Sequence, residues 1–139
     1  MVRAVVNCRP MRKLLLTVLL AWLAWGCKSN PYADNGPPAP LRDTLRLYEN
    51  VVRWGDLTRM YAFGEVRNWQ QGLENVRVTA YDVAGEPLRT ADDTWEQTVY
   101  LQYVRKDRQI VHRVTDHQVW KTPDDGDSWR LTTPHPEFH

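Results

Sequence analysis

Apolar and polar positions follow three different rhythms along this chain. Residues 14–25, LLLTVLLAWLAW, are apolar with no polar face. From 41 to 54, Leu41, Leu45, Tyr48 and Val52 recur at i, i+4, i+7 and i+11, the stripe of an amphipathic helix. Leu47, Val51 and Trp54 widen that stripe. Gly55 stops it, and Asp56 is a candidate N-cap for a short second helix, Leu57 to Phe63, with Met60 and Phe63 turned to the core. The period then falls to two. Val76, Val78 and Ala80 alternate with Arg77, Thr79 and Tyr81 until Ala84-Gly85-Glu86-Pro87 breaks the strand. Trp95, Val99, Leu101 and Tyr103 oppose Glu96, Thr98, Tyr100 and Gln102, and after a turn at Lys106-Asp107 a third strand runs over 109–120. Pro123-Asp124-Asp125-Gly126 is a hairpin signal leading into a fourth strand with Trp129 and Leu131. This order predicts an α+β domain over 41–139, an N-terminal helix and a short second one packed on a four-stranded antiparallel meander sheet.

The apolar run behind Arg12-Lys13 is too short to span a hydrocarbon layer, which needs about 20 residues. It suits the core of a signal peptide covering residues 1–26. Met11 begins MRKLLL and is the more ordinary start, which would leave residues 1–10 outside the precursor. Leu23-Ala24-Trp25-Gly26-Cys27 resembles the lipobox of bacterial prolipoproteins. That resemblance implies cleavage between Gly26 and Cys27, a diacylglycerol on the Cys27 thiol, and an acyl chain such as palmitate on the new amino group. Two or three chains anchor firmly where one does not. Lys28 in place of Asp implies the outer membrane, facing the periplasm. Residues 28–40, KSNPYADNGPPAP, read as a flexible Pro-rich tether reaching up to about 40 Å.

Charge and cysteine use narrow the partners. Of 18 basic residues, Arg3, Arg9, Arg12 and Lys13 precede Cys27, leaving 14 against 17 acidic ones in the mature part. A mildly acidic domain argues against nucleic acid, which calls for a basic stripe. Cys8 and Cys27 are the only cysteines, so the domain has no internal disulfide and depends on its apolar core.

Candidate chemistry is sparse. His112 and Asp116 share a strand face about 13 Å apart, too far for a direct bond, and His117 faces the other way. His135 and His139 sit in a Pro-rich end that reads as a solvated tail. Asp124, Asp125 and Asp127 suit turn chemistry better than a calcium loop, which needs a Glu at loop position 12. No phosphate loop, G-x-S-x-G or H-E-x-x-H occurs. These residues imply no catalytic set, metal ligand or cofactor. Trp54, Trp95, Trp120 and Trp129 read as core. Trp69, in the loop Asn68-Trp69-Gln70-Gln71-Gly72, is the exception, a candidate partner or ligand contact.

The segments RWGDLTRMYAF (53–63), NVRVTAYDV (75–83), VYLQYVRKDRQIVHRVTDHQVW (99–120) and WRLTTPHPEF (129–138) resemble a group of small, uncharacterised proteobacterial outer-membrane lipoproteins. The order of elements is similar, more distantly, to cystatin-like and nuclear-transport-factor-like rolls, in which Asp82 or Asp116 would be the candidate pocket carboxylate. The first resemblance implies a membrane-anchored envelope lipoprotein, a structural or protein-interaction module for an envelope protein or peptide. The alternative is a small-ligand binding domain or minor enzyme with a pocket between helix and sheet. A closed core favours the first reading, and an open cavity holding Asp116 or His112 the second.

Overall fold

A computed structural model describes residues 36–66 and 68–139, and Gly36–His139 forms one compact unit. The signal-peptide, cleavage and tether readings at residues 1–35, Gly26 and Cys27 among them, lie outside the described residues. Among the described residues no helix is long and apolar enough to cross a membrane.

The fold is α+β, one helix packed on a curled antiparallel sheet. Helix α1, Ala39–Trp54, starts two residues before the expected boundary. Pro40 falls in its first turn, where a missing N–H costs nothing, and the Pro38 carbonyl accepts from Arg42 N at 3.0 Å. Leu41, Tyr48 and Val52 are buried as the stripe predicts, with Leu45 and Val51 partly covered. Leu47 and Trp54 are not: Trp54 is 76% exposed. The helix packs against the edge strand of the sheet, and among the described residues no further strand lies beyond to cover that shoulder. The second helix is a 3-10 turn, Leu57–Ala62, and Asp56 caps it as expected, accepting from Thr58 N at 2.9 Å and Thr58 Oγ1 at 2.7 Å.

Five strands follow: β1 Val76–Val83, β2 Leu88–Ala91, β3 Thr94–Arg105, β4 Val111–Lys121 and β5 Arg130–Leu131. Pairing runs β1–β3–β4–β5, and β2 joins β3 on the side that β1 occupies. The break at 84–87 thus interrupts one edge ribbon that resumes as β2, an element the alternation pattern missed because its four residues are all exposed. The fourth strand shrinks to two residues.

In β1 the expected alternation fails halfway. A bulge between Val78 and Ala80 adds one residue to the strand, which flips the faces beyond it. Tyr81, expected outside, is buried with Val76 and Val78. On β3 and β4 the alternation holds, and Trp95, Val99, Leu101, Tyr103 and Trp120 face the helix.

Two tryptophan truncations separate these roles. Trp120→Ala is expected to cost about 3–5 kcal/mol through the cavity it leaves. Trp54→Ala should stay within about 0.5 kcal/mol of the parent. Urea unfolding midpoints of the two variants check the contrast.

Candidate functional site

Asp116 lies on the core face of β4, two residues from Gln118 and four from Trp120, so all three side chains point under the helix. The Asp116 side chain is 2% exposed. Its Oδ2 accepts from Gln118 Nε2 at 2.6 Å, and the same amide group lies 3.3 Å from the Tyr81 hydroxyl. Gln118 Oε1 accepts from Gln97 Nε2 at 2.7 Å and Trp120 Nε1 at 3.1 Å. One glutamine amide therefore joins three strands. Gln97 reaches it because β3 pairs Gln97 directly with Gln118. Tyr81 reaches it because of the bulge.

No cation pairs with Asp116 among the described residues. Burial raises its pKa from 3.8 to about 6, against the opposing bond from Gln118. Burial also raises the pKa of Tyr81 and Tyr48 well above the ordinary phenol value, the Asp116 charge adding to both.

His135 is the second buried titratable group, and here the expected solvated tail is wrong. The ring is 2% exposed, its Nδ1 lies 3.3 Å from the Tyr48 hydroxyl, and Pro136 and Phe138 are buried beside it. Side chains from the 64–72 loop hold this C-terminal segment as a strand partner would. Asn68 Nδ2 donates to the His135 carbonyl at 3.0 Å, and Asn68 Oδ1 accepts from His135 N at 3.1 Å. Gln70 Nε2 donates to the Pro136 carbonyl at 2.7 Å, and Gln70 Oε1 accepts from Phe138 N at 2.8 Å. Phe138 meets the Tyr103 ring edge-on, and the Tyr103 hydroxyl donates to the His139 carbonyl. Two prolines that already restrict the chain reduce the entropy lost in this docking. Among the described residues His135 Nε2 has no hydrogen-bond partner; it faces Gly64, where a Cβ would collide with it. Burial lowers the His135 pKa from 6.5 to about 4.

The loop so fixed presents Trp69, 64% exposed. Its ring leans on Tyr61 with centroids 4.3 Å apart. The Tyr61 hydroxyl donates to the Asn68 carbonyl at 3.1 Å and accepts from Gln70 N at 3.0 Å, bracketing Trp69 on both sides. The sequence marked Trp69 but not Asn68 and Gln70. Their i, i+2 spacing, one face of an extended segment, was the available signal.

The remaining candidates separate. His112 stacks on Tyr103 at 5.1 Å and does not join Asp116. His117 is exposed and 3.2 Å from Thr98 Oγ1. Asp82 is exposed on β1. Asp124 binds its own turn, accepting from Ser128 N at 2.8 Å and Ser128 Oγ at 2.7 Å. Among the described residues, no three His, Cys, Asp or Glu side chains gather as a ligand set. Between helix and sheet, a shallow hollow of about 280 Å³ lies by Leu45, Glu49, Tyr81 and Gln97; neither Asp116 nor His112 lines it. The face that would hold a pocket carboxylate is filled by Trp120, Tyr48 and the Gln118 network. No family model, curated protein or solved structure matches the chain.

The two buried groups bias stability in opposite directions. Asp116 binds its proton more tightly when folded, so its contribution is complete below pH 4 and is lost as pH rises through 6. Moving the carboxyl from 3.8 to about 6 corresponds to roughly 3 kcal/mol. His135 favours its neutral form when folded, so its contribution is present above pH 6.5 and is lost as pH falls toward 4. Between pH 4 and 6.5 the two slopes oppose each other. Asp116→Asn should therefore unmask a stability that climbs with pH across this window, and His135→Gln one that declines. Thermal unfolding at successive pH values reads both slopes.

Proposed function

We propose that this protein is an envelope lipoprotein, held on a bacterial membrane through acyl chains on Cys27, whose domain is a protein-interaction module. The outer membrane, on its periplasmic side, is the proposed address. The observation that carries the interaction reading is Trp69, a large aromatic side chain left in solvent between two loop residues, Asn68 and Gln70, that are both hydrogen-bonded to Tyr61. Anchors at protein interfaces are enriched in tryptophan, and a side chain already held in place loses little entropy on binding. Tyr61 below it and the Asn68 and Gln70 side-chain bonds supply that holding. The partner is an envelope protein or peptide with an apolar recess for the indole. The buried Asp116 network faces away from solvent, which weighs against its use as a catalytic acid or base.

Cross-linked pull-down of the tagged full chain from bacterial envelopes tests the module. Trp69→Ala should reduce recovery of the partner by about tenfold or more, with stability changed by less than about 1 kcal/mol. Equal recovery by the variant would sink the reading. The anchor is tested separately: Cys27→Ala should abolish fatty-acid labelling, and a variant still labelled in full would remove Cys27 from the account.

A further inference from the structure

The two outer edges of the sheet are finished differently. At β5, Leu131 N donates to the Phe63 carbonyl at 2.8 Å and Glu65 N donates to the Leu131 carbonyl at 2.9 Å, so a neighbouring segment closes that edge. At the opposite edge, β1 pairs with β3 on one side. On the other, the Val76 N–H turns back to the Leu73 carbonyl, and among the described residues no further backbone bond covers the edge as far as Val78. An edge strand left this way directs alternate N–H and C=O groups outward, ready for a further strand.

A cleft of about 510 Å³ runs beside this stretch, between the end of α1 and the start of β1. Val52, Leu57 and Val76 make it apolar within, while Arg53, Arg77 and Lys106 reach it from three separate parts of the chain. Among the described residues no carboxylate lines it. Trp54 stands at its rim with the Arg53 guanidinium 5.0 Å from the ring centre. Arg53 is paired with Glu49 at 3.1 Å, but Arg77 makes no ion pair among the described residues. Lys106 gives one of its three donors to the Glu74 carbonyl at 2.7 Å. The excess positive charge therefore sits on Arg77 and Lys106.

We propose that the β1 edge receives an extended acidic peptide from a partner protein, added as a further strand along Val76–Val78. Strand addition draws affinity from main-chain bonds and specificity from alternate side chains. On the incoming strand, side chains level with Val76 and Val78 enter the apolar cleft under Trp54. Those level with Arg77 lie on the other face, where acidic groups meet Arg77 and Lys106. A second copy of this chain is a poor occupant, because pairing β1 with β1 sets Arg77 against its own counterpart. The bulge at Thr79 also ends the regular edge after a few residues, so a short segment fits better than a long strand. The proposal rests on the reading of this domain as an interaction module, but on neither Trp69 nor Cys27.

The test uses the full chain in detergent micelles and fluorescence anisotropy of a labelled short peptide alternating valine and glutamate. Saturable, salt-sensitive binding is expected, weakened about tenfold by Arg77→Glu with Lys106→Glu and lost when a proline replaces the central valine. The charge-reversed double variant should instead take the valine–lysine peptide, which also shows that it is folded. Trp69→Ala should bind the acidic peptide as the parent does. Equal affinity for the glutamate and lysine peptides, undiminished binding of the proline peptide, or displacement by inorganic phosphate at matched ionic strength would each overturn strand addition. Loss of peptide binding in Trp69→Ala would move the site away from β1. Loss of envelope recovery with peptide binding intact leaves the two surfaces independent.

Discussion

Tyr48 is the point on which the packing turns. Its ring meets Phe63 and Trp120 edge-on, each at 5.5 Å, and stacks with His135 at 6.1 Å. One side chain from α1 thus touches the end of the 3-10 helix, the centre of the sheet and the C-terminal segment. A tyrosine suits this place because it offers a large apolar body and a hydroxyl at its tip. The body fills the space between helix and sheet. The hydroxyl sits 3.3 Å from His135 Nδ1, in a core where an unmet polar group is costly.

Around that contact the interior is more polar than its apolar pattern suggests. Gln97, Gln118 and Asp116 are buried, and each side chain is paired within the network. A satisfied network of this kind holds strands in one register, since a slip of one residue would move Gln97 and Gln118 to opposite faces. The cost is a carboxyl whose pKa burial raises to about 6 and an imidazole whose pKa burial lowers to about 4. Their opposed pH dependences leave the folded domain balanced across the mildly acidic range.

The exterior is finished asymmetrically. One sheet edge is sealed by Phe63–Glu65, and in the loop that follows Asn68 and Gln70 are bonded to the C-terminal segment while Trp69 is left outward. The other edge is less fully covered and bordered by cations, although residues 27–139 as a whole carry more acidic than basic residues. On the proposed reading, recognition falls to these surfaces and the interior holds the sheet together.

The sequence by itself determined the class of the domain and most of its inward faces. The stripe of α1 and the alternation along β3 and β4 are legible because burial on those elements follows local periods. Asp56 and Asp124 are legible as caps and turns for the same local reason. Trp69 stood out as an apolar residue among polar loop neighbours. What only the tertiary structure decided depends on partners distant in the chain. The bulge that turns Tyr81 inward arises from the register of β1 on β3, which no window of β1 contains. Trp54 stays in solvent because β1 is the last strand on that side. His135 is buried because Asn68 and Gln70, more than sixty residues earlier, supply the hydrogen bonds that its segment cannot make locally.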